Sequence, residues 1–288
     1  MRQVSGLVTL GTNAPMGGVR KEKIMRRVAL LLAGMAAVLV LASGVALAVN
    51  RVGTDGPDTL RGTNGPDNLL GQGGNDVLYA LAGNDNLLGG EGKDWLLTGE
   101  RRALSGNKNS VGGSGNDGVA GGLGSDNLLG GSGNDFVFGD AGSDSAVAGQ
   151  GGRDIIDGWT GSDHMLGGGG GDLIVDGELD EASKDDVLSG GDGNDILIGD
   201  NVPAVKDTVS CGDGFDRVLA DRKDVVADDC ERVRVLRGSE EEVREQEDAF
   251  FESLPPALIG IFDTFFEEQL APFPAATRSS AATSPAIR

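Results

Sequence analysis

The sequence predicts an all-β solenoid, in which short strands are stacked by a repeated turn. Three successive segments between Gly112 and Phe138 have the sequences GGSGNDGVA, GGLGSDNLL and GGSGNDFVF, and the same nine-residue frame fits from Gly53 to Leu219. Its fourth place holds Gly, its sixth Asp and its eighth an aliphatic residue. A short fixed period of this kind indicates units that bury their apolar side chains against their neighbours.

The turn and the strand of each unit follow from these places. Glycines at places one, two and four are expected to allow positive φ without a Cβ clash. The three residues after each Asp are long enough for a short strand only, and alternation directs the eighth side chain away from its neighbours. The eighth places are Leu60, Leu69, Leu78, Leu87, Leu96, Val119, Leu128, Val137, Ala146, Ile156, Met165, Ile174, Leu188, Leu197, Val209 and Val218.

The sixth places form a series of aspartates. Eleven of the fifteen steps between them are nine residues, and the longer steps, after Asp94, Asp144, Asp172 and Asp195, contain insertions. The series is Asp58, Asp67, Asp76, Asp85, Asp94, Asp117, Asp126, Asp135, Asp144, Asp154, Asp163, Asp172, Asp186, Asp195, Asp207 and Asp216.

This pattern resembles the hemolysin-type, or RTX, nonapeptide GGxGxDxUx over roughly residues 53 to 219. The resemblance implies a parallel β-roll in which two units form one coil and strands alternate between two sheets. Like loops then stack every eighteen residues, about 4.8 Å apart. Aspartates at that spacing repel each other by roughly 1 to 4 kcal/mol per pair. Carboxylate and carbonyl oxygens in a flexible ring suit Ca²⁺ better than Mg²⁺.

The resemblance therefore implies several Ca²⁺ ions, each held between loops two units apart and each contributing to folding. The insertions leave Lys108, Asp186 and Asp207 outside the expected set of sites. The expected ligands are Asp58, Asp67, Asp76, Asp85, Asp94, Asp117, Asp126, Asp135, Asp144, Asp154, Asp163, Asp172 and Asp195.

One unit, residues 103–111 (ALSGNKNSV), is degenerate because Lys108 stands at its sixth place. Either the Lys108 ammonium replaces an ion, or residues 98–110 form a looped-out break in the array. The loop is the favoured interpretation.

The array follows a predicted export signal. Residues Met25 to Arg27 precede an apolar run over 28–48 that ends in Ala46-Leu47-Ala48. A basic start, an apolar centre and an A-x-A site predict cleavage after residue 48, so the mature protein is expected to be secreted or associated with the cell surface. Residues 1–24 are then an over-extended N-terminus. The alternative is an uncleaved membrane anchor, since 21 mostly apolar residues can span a bilayer.

A cap and a tail are predicted after the array. Cys211 replaces the first Gly of its unit and Cys230 lies in a strand-rich cap over 220–238. Two cysteines in an exported chain favour a disulfide over free thiols. Residues 239–270 are predicted to be an acidic amphipathic helical segment, interrupted by Pro255 and Pro256, and 271–288 a disordered tail. The helical segment is expected to cover an apolar face of the roll rather than dock on a membrane or partner.

The ninth places, which share the outward face with the seventh, are largely apolar. Such a stripe is expected to receive the tail helix or to drive self-association. Its members are Leu70, Tyr79, Leu88, Leu97, Leu129, Phe138, Val147, Leu166, Val175, Ile198 and Leu219.

Two classes of function agree with this organisation. A net charge of −21 argues against nucleic-acid partners, which carry negative phosphates. The sequence has one histidine, His164, and lacks H-E-x-x-H and G-x-S-x-G motifs, so it is not expected to be an enzyme. The favoured function is a secreted, calcium-stabilised structural or adhesive scaffold that contacts a cell surface or matrix. The alternative is a secreted hydrolase or carbohydrate-modifying enzyme with a site on the roll surface.

Overall fold

The computed structural model describes residues 48–97, 105–176, 184–199, 201, 204–238, 242, 245–246, 249–250 and 252–254. These residues form two ten-stranded parallel sheets. Successive strands along the chain alternate between the sheets, so the described chain is an all-β parallel solenoid, as predicted.

The strands of each sheet are separated by one complete coil. Sheet A consists of β1 (Asn50–Val52), β3 (Asn68–Gly73), β5 (Asp85–Glu91), β7 (Lys108–Ser114), β9 (Asn127–Ser132), β11 (Ser145–Gly151), β13 (His164–Gly170), β15 (Val187–Gly193), β17 (Thr208–Gly214) and β19 (Val225–Val226). Sheet B consists of β2 (Thr59–Arg61), β4 (Val77–Tyr79), β6 (Trp95–Leu97), β8 (Gly118–Leu123), β10 (Phe136–Ala141), β12 (Ile155–Asp157), β14 (Leu173–Val175), β16 (Ile196–Gly199), β18 (Arg217–Ala220) and β20 (Arg232–Val235).

Insertions do not change the register of the sheets. Val119 pairs with Val137 eighteen residues later, and across the longest insertion Asp85 still pairs with Lys108. The single extra residue before Asp154 is absorbed where the register between β9 and β11 shifts near Gly149, as a bulge does. A slip of one residue would turn every aliphatic side chain outward, so the core keeps the register.

The core is the stack of eighth-place side chains. All sixteen predicted residues are buried, from Leu60 at 8% exposure to the fully buried Val218, so this prediction is confirmed. In the degenerate unit Ser110 takes the same place, at 1% exposure.

The turns explain the glycine pattern, with one correction. Positive φ occurs at the second and fourth places, as at Gln72 (87°) and Gly92 (125°). The expectation of positive φ at the first place was wrong among the described units. A Cβ at Gly71 would instead lie 2.2 Å from Oδ2 of Asp76 and 2.5 Å from the carbonyl oxygen of Gly89. The first place is small because two oxygens approach it closely.

The favoured loop interpretation of the degenerate unit was also wrong for residues 105–110. Ser105 forms a parallel bridge with Leu123, and β7 begins at Lys108 and pairs with its neighbours on both sides. Lys108 therefore holds the position that Asp holds in other units.

The end of the array is closed by a disulfide between Cys211 and Cys230, which confirms that prediction. Cys211 lies in β17 and is completely buried in the core, whereas Cys230 lies between β19 and β20. The bridge thus ties the last complete coil to the strands that follow it.

A second apolar cluster lies on the outer face of sheet B and includes part of the tail. Phe250 and Leu254 are buried in it, and the Arg217 Nη1 donates to the Ser253 carbonyl oxygen at 3.0 Å. The described positions between 242 and 252 have helical backbone, although no helix is described from end to end. Residues 255–288 lie outside the described chain. The cluster consists of Phe136, Ile155, Leu173, Val175, Ile196, Ile198, Leu219, Leu236, Phe250 and Leu254.

The predicted export signal lies outside the described residues except for its last position, and residues 1–24 lie wholly outside them. Within the part of the chain that the structure describes, no helix has the length and apolar character needed to cross a membrane.

Candidate metal centre

The sixth-place aspartates form two columns along the solenoid. Each Asp immediately precedes a strand or begins it, so those before sheet A strands stack into one column, the A column, and those before sheet B strands into the other, the B column. All except Asp58 are buried, at 3% exposure or less. The A column contains Asp67, Asp85, Lys108, Asp126, Asp144, Asp163, Asp186 and Asp207, and the B column Asp58, Asp76, Asp94, Asp117, Asp135, Asp154, Asp172, Asp195 and Asp216.

One oxygen of each carboxylate bonds to the preceding coil. The Asp117 backbone N–H donates to Oδ1 of Asp135 at 2.9 Å, and the Asp126 N–H donates to Oδ1 of Asp144 at 2.8 Å. At the C-terminal end of the series the backbone N–H finds its acceptor outside the series, since the Asp216 N–H donates to Oε2 of Glu231 at 2.9 Å. These N–H to Oδ1 bonds form a ladder along each column and leave the second oxygen of the carboxylate, Oδ2, outside it.

The second oxygen, Oδ2, is buried and accepts no hydrogen bond in most of the series. A buried neutral acceptor without a donor lowers the stability of the fold by about 1–3 kcal/mol, and a buried charged acceptor lowers it by more. These oxygens belong to Asp76, Asp85, Asp94, Asp117, Asp126, Asp135, Asp144, Asp154, Asp163, Asp172, Asp186, Asp195, Asp207 and Asp216.

The first Asp of each column is satisfied differently. The Thr54 hydroxyl donates to Oδ2 of Asp58 at 2.8 Å, and the Thr63 hydroxyl donates to Oδ2 of Asp67 at 3.1 Å. Threonine at the second place therefore supplies from within the turn the donor that later units lack. Asp58 and Asp67 terminate the columns, and their Oδ2 atoms need no cation for charge-assisted bonding.

Backbone carbonyls share the space into which Oδ2 points. A Cβ at Gly121 would lie 2.5 Å from Oδ2 of Asp126 and 2.7 Å from the carbonyl oxygen of Gly139 in the next coil. Carboxylate and carbonyl oxygens are both acceptors, so neither can satisfy the other. A group of this kind requires a proton or a cation.

Lys108 shows where a positive charge is held in such a turn. Its Nζ donates to the carbonyl oxygens of Gly83 at 2.9 Å and Gly106 at 2.8 Å, and lies 3.6 Å from Oδ2 of Asp85. Gly83 and Gly106 are the fourth places of successive coils, and Lys108 is 2% exposed. The buried ammonium is thus bound by two turn carbonyls and one sixth-place carboxylate.

The register of the repeat implies that the equivalent position in other coils lies among the same atom types with one more carboxylate. Between Asp117 and Asp135, for example, the fourth-place carbonyls belong to Gly115 and Gly133. Two carboxylates and several carbonyls are hard oxygen ligands, and a flexible ring of them suits Ca²⁺.

The buried carboxylates are poor acids. The pKa of Asp144 and of Asp154 is raised to about 8, mainly by burial and in addition by the neighbouring carboxylates, while the ladder N–H acts in the opposite direction. The same causes raise the pKa of Asp117 to about 7. Without a bound cation, several of these groups therefore hold protons near neutral pH.

The comparison with known families agrees with this geometry. The family model for the RTX calcium-binding nonapeptide repeat (four copies) matches residues 52–87, 70–100, 111–146, 147–174 and 183–201. The chain carries RTX calcium-binding repeats. RTX repeats bind Ca²⁺, and the many buried aspartates of this RTX array fit that chemistry. No curated protein matches the sequence.

Sequence reasoning missed a second ladder at the fifth place of the RTX units. The Asn134 N–H donates to Oδ1 of Asn116 at 2.9 Å, and the Arg153 N–H donates to Oδ1 of Asn134 at 2.8 Å. The frequent Asn before the sixth-place Asp was the available signal. His164, the one histidine of the sequence, is exposed at the start of β13 on the outer face of sheet A.

Proposed function

We propose that the array binds several Ca²⁺ ions along both columns and folds around them. The observation that carries this proposal is the Lys108 ammonium, which is held by two turn carbonyls and by a sixth-place Oδ2, the carboxylate oxygen that other coils leave without a donor. The proposed ligands are eleven of the thirteen aspartates expected from the sequence, all except Asp58 and Asp67, whose Oδ2 already accepts from a threonine hydroxyl. Asp58 and Asp67 close the ends of their columns, and the carbonyls of the turns complete each site.

Calcium binding and folding are coupled in this proposal, because a ring of ligands from two coils does not exist in the unfolded chain. In far-UV circular dichroism of the full-length chain, Ca²⁺ added after chelation should produce a cooperative gain of β-sheet signal. Mg²⁺ at the same concentration should produce much less, since it retains its waters and demands octahedral geometry. A spectrum that ignores both chelator and Ca²⁺ would remove the calcium assignment.

We further propose that the protein is secreted. RTX repeats are typical of extracellular proteins, and the sequence predicts cleavage after residue 48. Expression in a bacterium with a functional general export pathway, followed by N-terminal sequencing of the exported protein, should show a start at Val49. Recovery of only the uncleaved chain from the membrane fraction would favour the anchor instead.

The proposed role is structural or adhesive, with the rigid array as a scaffold at a cell surface or in a matrix. RTX repeat folds are generally structural rather than catalytic. Sheet A offers one apolar contact surface, because several ninth-place leucines are half-buried or exposed there, with Leu88 at 42% exposure. The outer face of sheet B is instead buried near the tail.

Self-association through sheet A can be tested directly. Replacing Leu88 and Leu129 with Ser should decrease the size of the Ca²⁺-loaded particle in sedimentation velocity, because the contact loses apolar area. The matched control is Leu123→Ser, a leucine of sheet B with 38% exposure. An unchanged sedimentation coefficient in the double variant would show that this surface does not self-associate.

A further inference from the structure

A cluster of buried acidic residues lies at the interruptions of the array, outside the regular sites. One carboxylate oxygen from each of Asp176, Asp186 and Asp207 lies within 4.8 Å of one from the other two. The three residues are at most 2% exposed, and Asn201 beside them is 4% exposed. Asp176 and Asn201 belong to no sixth place of the repeat.

The frame of the repeat explains why Asp176 enters this space. It occupies the first place of its unit, where most other units have Gly. A first-place Cβ points toward Oδ2 of the same unit, as at Gly71 and Asp76. The Asp176 N–H donates to the Ile198 carbonyl oxygen at 2.7 Å, so its backbone keeps the register of sheet B. Its carboxylate is consequently directed toward Asp186, the sixth-place residue of its own unit.

Each of the four side chains has one polar atom that is already used. Oδ1 of Asp186 accepts the Asp163 N–H, and Oδ1 of Asp207 accepts the Asp186 N–H at 2.9 Å. Oδ2 of Asp176 accepts from Nδ2 of Asn201 at 3.3 Å. These bonds hold the four side chains in place and leave one oxygen of each side chain outside the hydrogen bonds.

The remaining oxygens have no hydrogen-bond partner although they are buried. They are Oδ1 of Asp176, Oδ2 of Asp186, Oδ2 of Asp207 and Oδ1 of Asn201. Burial and the nearby Asp186 carboxylate raise the pKa of Asp176 well above its usual value. Three carboxylates this close repel one another strongly, so the cluster needs a proton or a metal ion.

We propose that Asp176, Asp186, Asp207 and Asn201 form a separate Ca²⁺ site that binds more tightly than the regular turns. It contributes three carboxylates, whereas a regular turn contributes two. All its ligand atoms are side-chain oxygens, which are hard ligands, and ligand charge is a main determinant of Ca²⁺ affinity. The insertions after Asp172 and Asp195, which interrupt the repeat, bring these ligands together.

The test is isothermal titration of the full-length, chelator-treated chain with Ca²⁺. The wild type should show one site that fills before the others. Asp176→Asn preserves the shape and removes one charge, so it should lower the affinity of that site at least about 100-fold and leave the remaining sites unchanged. Asp185→Asn is the matched control, because it removes the same charge from an exposed residue of the same segment.

An identical titration for wild type and Asp176→Asn would overturn the proposal and would indicate that Asp176 and Asp186 share a proton. Asp176→Gly restores the repeat consensus at the first place, so it separates loss of the site from loss of the fold. If the regular turns bind no Ca²⁺, the wild type and Asp185→Asn should still bind one ion, and the two Asp176 variants should bind none. That pattern distinguishes a failure of the proposed array function from a failure of this site.

Discussion

Acidifying the Ca²⁺-free protein from about pH 8.5 to about pH 5 is expected to stabilise its fold. Burial raises the pKa of Asp144 and Asp154 to about 8 and that of Asp135 to about 6, from a usual value of 3.8. Between those limits the folded state binds more protons than the unfolded state, so stability rises as the pH falls. Below about pH 4 both states are protonated and the gain is complete.

The measurement is far-UV circular dichroism in chelator across this pH range, and the β-sheet signal should increase as the pH falls. Saturating Ca²⁺ should reverse the trend, because the ions and the protons compete for the same oxygens. The Ca²⁺-loaded protein should therefore lose stability on acidification. The opposite result, a Ca²⁺-free protein that becomes more stable as the pH rises from about 5 to about 8, would show that the carboxylates of the columns do not bind protons in this range.

Replacing Lys108 with Met is expected to lower the free energy of unfolding by about 3–5 kcal/mol, because it leaves a buried charge without its partner. The Asp85 carboxylate would lose its ion-pair partner, and the carbonyls of Gly83 and Gly106 would lose their shared donor. Urea unfolding at one fixed, saturating Ca²⁺ concentration near neutral pH would measure the loss.

Lys108→Asp restores the repeat consensus and should behave differently. At limiting Ca²⁺ it should be at least as unstable as Lys108→Met, since it adds a buried carboxylate to the column. With Ca²⁺ it should recover stability and bind at least one more ion than the wild type. Arg51→Asp makes the same change of charge at an exposed residue and should do neither. Lys108→Asp binding no additional Ca²⁺ would contradict the equivalence of the ammonium and the ion.

The fold was predictable because its determinants are local and repeated. The eighth-place side chains and the nine-residue period specify an inward face and a coil length, and the structure buries every eighth-place residue that was predicted. Lys108 was misjudged because the 23-residue gap between Asp94 and Asp117 suggested a break. The core retains the register across that gap, since the alternation of inward and outward residues resists a slip.

The site at Asp176 and Asn201 could not be predicted for a different reason. Its residues come from two successive coils and lie beside insertions, and an insertion length does not specify how the chain returns to the sheet. The repeat predicts which residue is sixth in a unit. It does not predict which side chain from a neighbouring irregular loop will point at that residue.

The ladder of N–H to Oδ1 bonds gives the solenoid a direction. Each coil supplies the acceptor for the coil before it, so removing whole coils from the N-terminal end leaves no sixth-place N–H of the remaining array without its acceptor. Removing them from the C-terminal end does, because Asp224 and Glu231 then no longer serve Asp207 and Asp216. By this count the ladder tolerates the loss of N-terminal coils better than the loss of C-terminal ones, although the threonines that satisfy the first Asp of each column, Thr54 and Thr63, would be lost with the first coil.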